Sequence, residues 1–357
     1  MEDQKAEYSF EKLAVWRTKL PKIKHAILPP HTNRPNPLIH KGRLFVSVFS
    51  SGAVCALDAK NGQMLWRREL PSLGSDSVHL AEGHLFAKTA TTLYALEPRT
   101  GTTVWSFCPY GDSGEMIYSH PTLHANNLFI GDRCGYLHCL DSQTGKTKWK
   151  VLTNAEKNSD VNSTPVVTKG LVIVATNAKM VAAYAEKSGK RAWARKLDGP
   201  SSFGPLLFRR QLTVVTDSVY LLKPDTGEII RKFSWKGDAA SRADCTQRNV
   251  VCILRGSWPP DGTAKLIGLD ESGIHFTQSS TAYVAFVRYA KETKLINVSH
   301  LEGIDVRLQS EGKLAFRIRR SKTPFGTSQV DVATNRIYVL TDDGYVYALR
   351  HPSVPRS

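Results

Sequence analysis

Apolar and polar residues alternate in short runs along almost the whole chain, and Gly, Asp and Asn residues separate these runs. In residues 128–140, for example, two apolar stretches flank a turn that contains Asp132 and Gly135. Alternation with a period of two is typical of strands with one buried face, and short polar breaks are typical of hairpins. No segment has a convincing amphipathic helix pattern. The pattern therefore predicts an all-β protein.

An eleven-residue sequence occurs four times, with a glycine at its seventh position and a tryptophan at its last. The copies occupy residues 56–66, 95–105, 139–149 and 183–193. We expect an Asp or Glu in this sequence to cap a turn with its side-chain oxygen, and the glycine to supply the positive φ that the turn requires. The tryptophan then lies on an outer strand, where its large apolar face can pack against the neighbouring repeat.

Weaker copies continue the pattern toward the C-terminus. They occupy residues 222–227, 269–273 and 308–312, and Arg231, Thr277 and Phe316 stand in the place of the tryptophan. Over the seven copies the glycine recurs every 38 to 46 residues. A period of about 42 residues matches one four-stranded propeller blade.

The two ends of the chain complete each other in this pattern. The last copy stops at Leu349 without an outer strand, and residues 14–20 look like the outer strand at residues 64–70. The N-terminal strand is therefore expected to close the last blade, which removes exposed sheet edges. We predict one eight-bladed β-propeller of four-stranded antiparallel blades over residues 12–350, with tails at residues 1–11 and 351–357. A seven-bladed arrangement is the alternative.

The repeat resembles that of the PQQ-type, or quinoprotein-like, propellers with their tryptophan-docking motif, and the resemblance covers about residues 12–350. This superfamily includes quinone-dependent alcohol dehydrogenases, the propeller lipoprotein of the bacterial outer-membrane barrel-assembly machine, and the C-terminal propeller of β-alanine-activating enzymes. The repeat specifies packing and leaves the chemistry open. The resemblance implies a structural docking role for five tryptophans: Trp16, Trp66, Trp105, Trp149 and Trp193.

The resemblance also indicates which residues a quinone site of this family would require. The dehydrogenases of the family clamp PQQ between a tryptophan and a disulfide of adjacent cysteines, and they hold Ca²⁺ beside a catalytic Asp. Here none of the six cysteines is adjacent to another, and none has zinc-finger spacing, so we expect reduced thiols and no bound cofactor or metal. The assembly lipoprotein carries a lipid-modified cysteine near its N-terminus, whereas the first cysteine here is Cys55.

Charge and the chain start bear on partners and location. The sequence has 48 basic and 32 acidic residues, a net charge of +16, which attracts anionic partners. A protein partner is expected, and an anionic ligand or a nucleic acid is a further candidate. The polar start and the lack of a long apolar run predict a cytoplasmic, monomeric protein without membrane insertion.

Propellers bind partners with the loops that open each blade. Here several of these loops carry a polar residue shortly before a proline that fixes entry into the first strand. His120 has no partner at a known catalytic spacing. Trp258, in a Pro/Gly hairpin, is either a cap over the core or an exposed anchor for a partner. The candidate binding residues are Asn36, His120, Asn162, Phe203, Arg242, Asp244 and Trp258.

The sequence therefore favours a binding or scaffolding module without catalysis of its own. Two enzyme-related alternatives stay open. One is a quinone-dependent oxidoreductase, and the other is an accessory propeller of an adenylate-forming enzyme.

Overall fold

The computed structural model describes most of the chain. The described residues are 7–20, 37–48, 51–71, 78–111, 116–117, 119–153, 160–201, 204–234, 239–245, 250–255, 263–281, 284–290, 295–300, 303–308, 314–319, 325–331, 336–341, 344–350 and 352. Within residues 239–331, most side chains lie outside the description. Across the described residues, no helix has the length and apolar character that crossing a membrane requires.

The described secondary structure consists of strands and one short helix. The N-terminal segment contains β1 (Glu7–Ser9), α1 (Phe10–Leu13) and β2 (Ala14–Lys19). Blade 1 contains β3 (Leu38–His40), β4 (Arg43–Val48), β5 (Ala53–Asp58) and β6 (Met64–Glu69). Blade 2 contains β7 (Val78–Ala81), β8 (His84–Lys88), β9 (Leu93–Leu96) and β10 (Thr103–Phe107). Blade 3 contains β11 (Thr122–His124), β12 (Asn127–Gly131), β13 (Tyr136–Asp141) and β14 (Thr147–Leu152).

The same order continues through the next three blades. Blade 4 contains β15 (Val166–Thr168), β16 (Leu171–Ala175), β17 (Met180–Ala185) and β18 (Arg191–Lys196). Blade 5 contains β19 (Leu206–Phe208), β20 (Gln211–Val215), β21 (Val219–Leu222) and β22 (Ile229–Phe233). Blade 6 contains β23 (Ala239–Cys245), β24 (Val250–Arg255), β25 (Thr263–Asp270) and β26 (Gly273–Thr281).

The last two blades bring the chain ends together. Blade 7 contains β27 (Val284–Ala290), β28 (Leu295–His300), β29 (Gly303–Leu308) and β30 (Leu314–Arg319). Blade 8 contains β31 (Phe325–Asp331), β32 (Arg336–Thr341) and β33 (Tyr345–Arg350), and β2 pairs with β33 as its outer strand. The prediction of an eight-bladed, all-β propeller fold closed by the N-terminal strand is confirmed.

The contacts divide the chain into two compact units. Unit 1 comprises residues 1–90, 94–104 and 283–357, and it holds blades 1, 7 and 8 with most of blade 2. Unit 2 comprises residues 91–93 and 105–282, and it holds blades 3 to 6. In both units the second and third strands of the well-described blades are almost wholly buried, whereas the outer strands are largely exposed.

Each tryptophan of the repeat packs on the turn between the third and fourth strands of the next blade. Trp149 Nε1 donates to the Glu186 carbonyl at 3.0 Å, and its ring covers Gly189, where an added Cβ would stand 2.8 Å from Cε3. The indole N–H groups of the other four bind equivalent carbonyls: Trp16 to Ala59, Trp66 to Pro98, Trp105 to Ser142 and Trp193 to Pro224.

A β-bulge immediately precedes this docking position. In blade 4, Trp193 pairs with Ala183 and Arg191 pairs with Tyr184, so Ala192 is the extra residue. The register shifts at the same place in blades 1, 3, 5, 6, 7 and 8. Because a bulge redirects the following side chains, it turns the docking residue toward the next blade.

Two blades carry another residue at the position of the docking tryptophan. In blade 5, Arg231 Nη1 donates to the Glu271 carbonyl at 2.7 Å, in the manner of the indole N–H groups. In blade 6 the prediction of Thr277 is wrong, because the connection between β25 and β26 is two residues shorter than in the tryptophan-docked blades. The register instead places Phe276 opposite Gly268, with its ring against that glycine.

The segment before β2 adds to unit 1. Strand β1, within the residues that the sequence analysis assigns to a tail, pairs in parallel with the outer strand β30 of blade 7. Phe10 follows it and is fully buried, with its ring centroid 4.7 Å from that of Tyr347. Ile318 belongs to the same cluster, so Phe10 packs against both blade 7 and blade 8.

Candidate functional site

Buried serines hold the loops that open blades 3, 4 and 5. Ser119 Oγ accepts from the Gly131 N–H at 2.6 Å and donates to the Gly131 carbonyl at 3.1 Å. Ser163 Oγ makes the same pair of bonds to Ala175, and Ser201 Oγ donates to the Val215 carbonyl at 2.8 Å. In each case the partner is the last residue of the second strand of the blade. The serines therefore bind each opening loop to the buried part of its own blade.

Backbone bonds tie neighbouring loops together within unit 2. The Val161 N–H donates to the Asp132 carbonyl at 2.9 Å, which joins the opening loop of blade 4 to a turn of blade 3. The Asn177 N–H donates to the Asp160 carbonyl at 3.1 Å, which joins the same loop to a turn of blade 4. We call the opening loops and turns around Ser119, Asp132, Asn162, Asn177 and Ser201 the loop face of unit 2.

A buried polar cluster lies beneath this face in blade 3. The Asp132 carboxylate is fully buried and accepts from Tyr110 Oη and from His138 Nε2, each at 2.6 Å, and from the Tyr136 N–H at 2.9 Å. Burial alone would raise the pKa of Asp132, but these hydrogen bonds outweigh it and hold the pKa below its usual value. Lys150 Nζ lies 3.9 Å from the ring centroid of Tyr136.

A second cluster occupies the equivalent part of blade 5. Asp198 accepts from Thr216 Oγ1 at 2.7 Å and from Ser218 Oγ at 2.6 Å, and Lys232 Nζ lies 3.1 Å away. Burial would raise the pKa of Asp198, but these donors lower it well below its usual range. Both carboxylates are saturated with donors, so their geometry suits the fixing of loops rather than proton transfer to a substrate.

The described cysteines of the blade cores are not activated. Burial raises the pKa of Cys55 to about 11 and that of Cys139 to about 12. Both thiols therefore stay protonated at neutral pH, where the thiolate would be the nucleophile. Among the residues that the structure describes, no group of three or more His, Cys, Asp or Glu side chains is placed to hold a metal ion.

The structure places two of the predicted binding residues on the loop face. His120 is partly exposed between the buried residues Ser119 and Pro121. Asn162 follows Val161 and precedes Ser163, and its Oδ1 atom is buried without a hydrogen-bond partner in the described part of the chain. The buried prolines agree with a structural role for the polar-and-proline signature of these loops.

The side chains of the other predicted residues lie outside the description. The backbones of Arg242 and Asp244 lie within strand β23, where Asp244 pairs with Val251. Asn36, Phe203 and Trp258 lie outside the described residues.

Sequence reasoning missed two features of the loop face. Asn177 Oδ1 is a second buried acceptor without a partner, in the turn that contacts the loop of Asn162. The cluster of Tyr110, Asp132 and His138 was also missed. Its signal was an Asp at the end of a buried strand with a His on the paired strand, which is weak because many solvated turns contain both residue types.

A separate pocket of about 640 Å³ lies in unit 1, between blades 1 and 2. Its wall combines the apolar side chains of Phe45 and Leu80 with the cations Lys41, Arg43 and Arg99. None of the predicted binding residues within the described ranges lines it.

Comparison with known protein families confirms the resemblance. The family model described as outer membrane protein assembly factor BamB matches residues 13–233. The chain belongs to this family of PQQ-type repeat proteins. The prediction of a cytoplasmic protein is wrong, because the curated relatives of the chain include several outer membrane protein assembly factors.

Individual relatives match a part of the chain. The BamB of Legionella pneumophila is 29% identical over 147 residues, which are 41% of this chain and 36% of that protein. A polyvinylalcohol dehydrogenase from a Pseudomonas species is 27% identical over 162 residues, which are 38% of this chain and 25% of that protein. The alignments thus span only about a third of these relatives or less.

A solved structure shares the fold over nearly the whole chain. The quinohemoprotein alcohol dehydrogenase ADHIIG from Pseudomonas putida superposes with a TM-score of 0.70, covering 96% of this chain and 76% of that one. The sequence identity is 12%, so this likeness concerns the fold alone.

Proposed function

We propose that this chain is a non-catalytic, protein-binding propeller that supports protein assembly at the outer membrane, and that it recognises its partner with the loop face of unit 2. Membership of the BamB family supports a scaffolding role. The observation that carries the assignment to this face is a pair of buried acceptors, Asn162 Oδ1 and Asn177 Oδ1, that have no donor in the described part of the chain.

The loop face is built for binding. Its serines and backbone bonds hold the loops in place before any partner arrives, so little conformational entropy is lost on association. A buried amide oxygen without a donor is costly. Asn162 and Asn177 are themselves partly exposed, so a rotation of the side-chain amide would let an N–H or O–H group of a partner reach the oxygen and remove that cost. Backbone amides and polar side chains of a protein meet this requirement, and His120, partly exposed in the opening loop of the neighbouring blade, would contact the same partner.

Site-specific photo-crosslinking in cells of the native host tests this function. A photoreactive amino acid replaces His120 on the loop face or, as the control, Lys146 in an exposed turn of blade 3. We expect a crosslink from position 120 to a protein of the outer membrane assembly apparatus, and none from position 146. Asn162→Leu is expected to reduce the crosslink at least about tenfold, because it removes an acceptor. Equal crosslinking from both positions would contradict the proposal.

A quinone-dependent oxidoreductase is the second candidate, favoured by the polyvinylalcohol dehydrogenase relative. The residues present do not fit the quinone site that the family resemblance implies. No two cysteines are adjacent. The docking tryptophans already serve the packing between blades, because each binds a carbonyl and covers a glycine of the next blade.

Titration with PQQ separates the two candidates. We expect no new visible absorbance on the protein and no turnover of added alcohols with an artificial electron acceptor. Stoichiometric PQQ binding with turnover would favour the oxidoreductase. A crosslink from position 120 to an adenylate-forming enzyme would instead indicate that the chain is an accessory propeller of such an enzyme.

A further inference from the structure

The outer edge of one blade already carries an added strand. β1 lies beside the outer strand β30, with Glu7 opposite Arg317, Tyr8 opposite Ile318 and Ser9 opposite Arg319. The added segment comes from an acidic stretch, since residues 1–11 contain four acidic residues and one lysine. The three residues of β30 that receive it follow the bulge and the docking position. Blade 7 thus shows how an acidic extended segment pairs with a basic outer strand.

Strand β18 of blade 4 presents a comparable edge. It is the last strand of its sheet, and no strand of the described residues pairs with its outer side. Its sequence, Arg-Ala-Trp-Ala-Arg-Lys, contains three cations and no acidic residue. Four of its six residues are exposed, including all three cations.

We propose that the outer edge of β18 is a docking site for an extended, acidic segment of a partner protein, which adds to blade 4 as a fifth strand. Strand addition recognises a partner through main-chain hydrogen bonds, and alternate side chains provide the specificity. This surface is distinct from the loop face, so the proposal goes beyond the function proposed above.

The register places two of the cations on one face of β18. Arg191 pairs with Tyr184, Ala194 with Ala182 and Lys196 with Met180, so these three β18 residues share a face. Neither Arg191 nor Lys196 forms an ion pair with an acidic side chain that the structure describes. An added strand with acidic residues at alternate positions would therefore meet two available cations on that face.

The third cation has a different task. Arg195 lies on the same face as Trp193, and its guanidinium donates to the Gly227 and Thr226 carbonyls of blade 5. It thus holds two blades together, and a test of docking should leave it unchanged.

Charge decides which strand this edge accepts. Two copies of β18 would place cations opposite one another, and such like-charge pairs disfavour edge-to-edge association. An acidic strand reverses the sign of these pairs. The edge is therefore protected against a second copy of the chain and open to a partner of opposite charge.

Hydrogen exchange with two matched peptides tests the proposal. One synthetic peptide alternates Glu and Val, and the other alternates Lys and Val. We expect the Glu–Val peptide to slow exchange of the β18 amides about tenfold, because strand addition protects main-chain N–H groups. The Lys–Val peptide should leave exchange unchanged.

Charge-reversal variants locate the effect. R191E/K196E should abolish the protection, whereas K146E/K187E, which changes the net charge equally in exposed turns, should retain it. The proposal would be overturned if both peptides protected β18 or if protection persisted in R191E/K196E. It would also be overturned if single-stranded nucleic acid, and no acidic peptide, displaced the Glu–Val peptide. Since position 120 is unchanged in these variants, its crosslink reports separately on the loop face.

Discussion

At the scale of single residues, one glycine in each tryptophan-docked blade meets two requirements at once. Gly189 has a φ of +70°, and the ring of Trp149 lies where its Cβ would be. Glycine alone meets both the backbone and the contact requirement. The carbonyl that binds the docking residue is less selective, because the indole N–H of Trp149 and the guanidinium of Arg231 both satisfy it.

The two requirements can be separated within blade 4. Gly170 has a φ of +71°, but nothing lies within 4 Å of an added Cβ. Gly170→Ala should lower the free energy of unfolding by about 1 kcal/mol, the cost of positive φ in a residue with a side chain. Gly189→Ala should lower it by about 2 to 4 kcal/mol, because the Trp149 ring must also move.

Chemical denaturation of both variants checks this difference. Equal losses of stability would show that the tryptophan adjusts freely and that only backbone conformation matters at the docking turn.

At the scale of elements, the outer strands combine a bulge, a docking residue and a short basic segment. The bulge residue is apolar and exposed in several of them, as for Val15, Leu65 and Ile230. The bulge leaves this apolar side chain exposed to solvent and directs the docking residue that follows toward the neighbouring blade. In the short helix α1, by contrast, an apolar residue is buried, since the entire side chain of Phe10 packs between blades 7 and 8.

Phe10→Ala should therefore be costly although the residue precedes the first strand of the repeat pattern. We expect a loss of about 3 to 5 kcal/mol in the free energy of unfolding, which is usual for a fully buried phenylalanine. Val15→Ala, in the adjoining strand β2, should change it by less than about 0.5 kcal/mol, because Val15 is 46% exposed. Denaturation of the two variants side by side measures the contrast, and a small effect of Phe10→Ala would show that α1 is dispensable.

At the scale of the whole molecule, the chain ends meet in one blade. β2 and the hairpin of β32 and β33 form a single sheet, and Trp16 docks on the turn of blade 1 at Gly62. The first and last blades are thereby joined by the same contact that joins blades along the chain. In a repeat protein stability depends on contacts between neighbouring repeats, so this contact gives the terminal blades a neighbour on each side.

We therefore predict that residues 12–350 unfold as one domain. Differential scanning calorimetry should show one transition, with a ratio of calorimetric to van't Hoff enthalpy of about 1. Trp16→Ala should lower the transition temperature, because it removes the closing contact. Two resolved transitions in the unaltered protein would instead identify the two compact units as separate domains.

The repeating pattern of the chain was sufficient to predict the fold class, the number of blades and the closing strand. These follow from local patterns that repeat, since each copy encodes the same strand, turn and docking residue. The position of the docking residue along each outer strand was harder to predict. The prediction of Thr277 is wrong because a connection shortened by two residues places Phe276 at that register position. Only the tertiary structure brought Tyr110, Asp132 and His138 together, placed Asn177 beside the loop of Asn162, and set β1 against β30. Such contacts join residues that no repeat relates, so they depend on how separate segments pack.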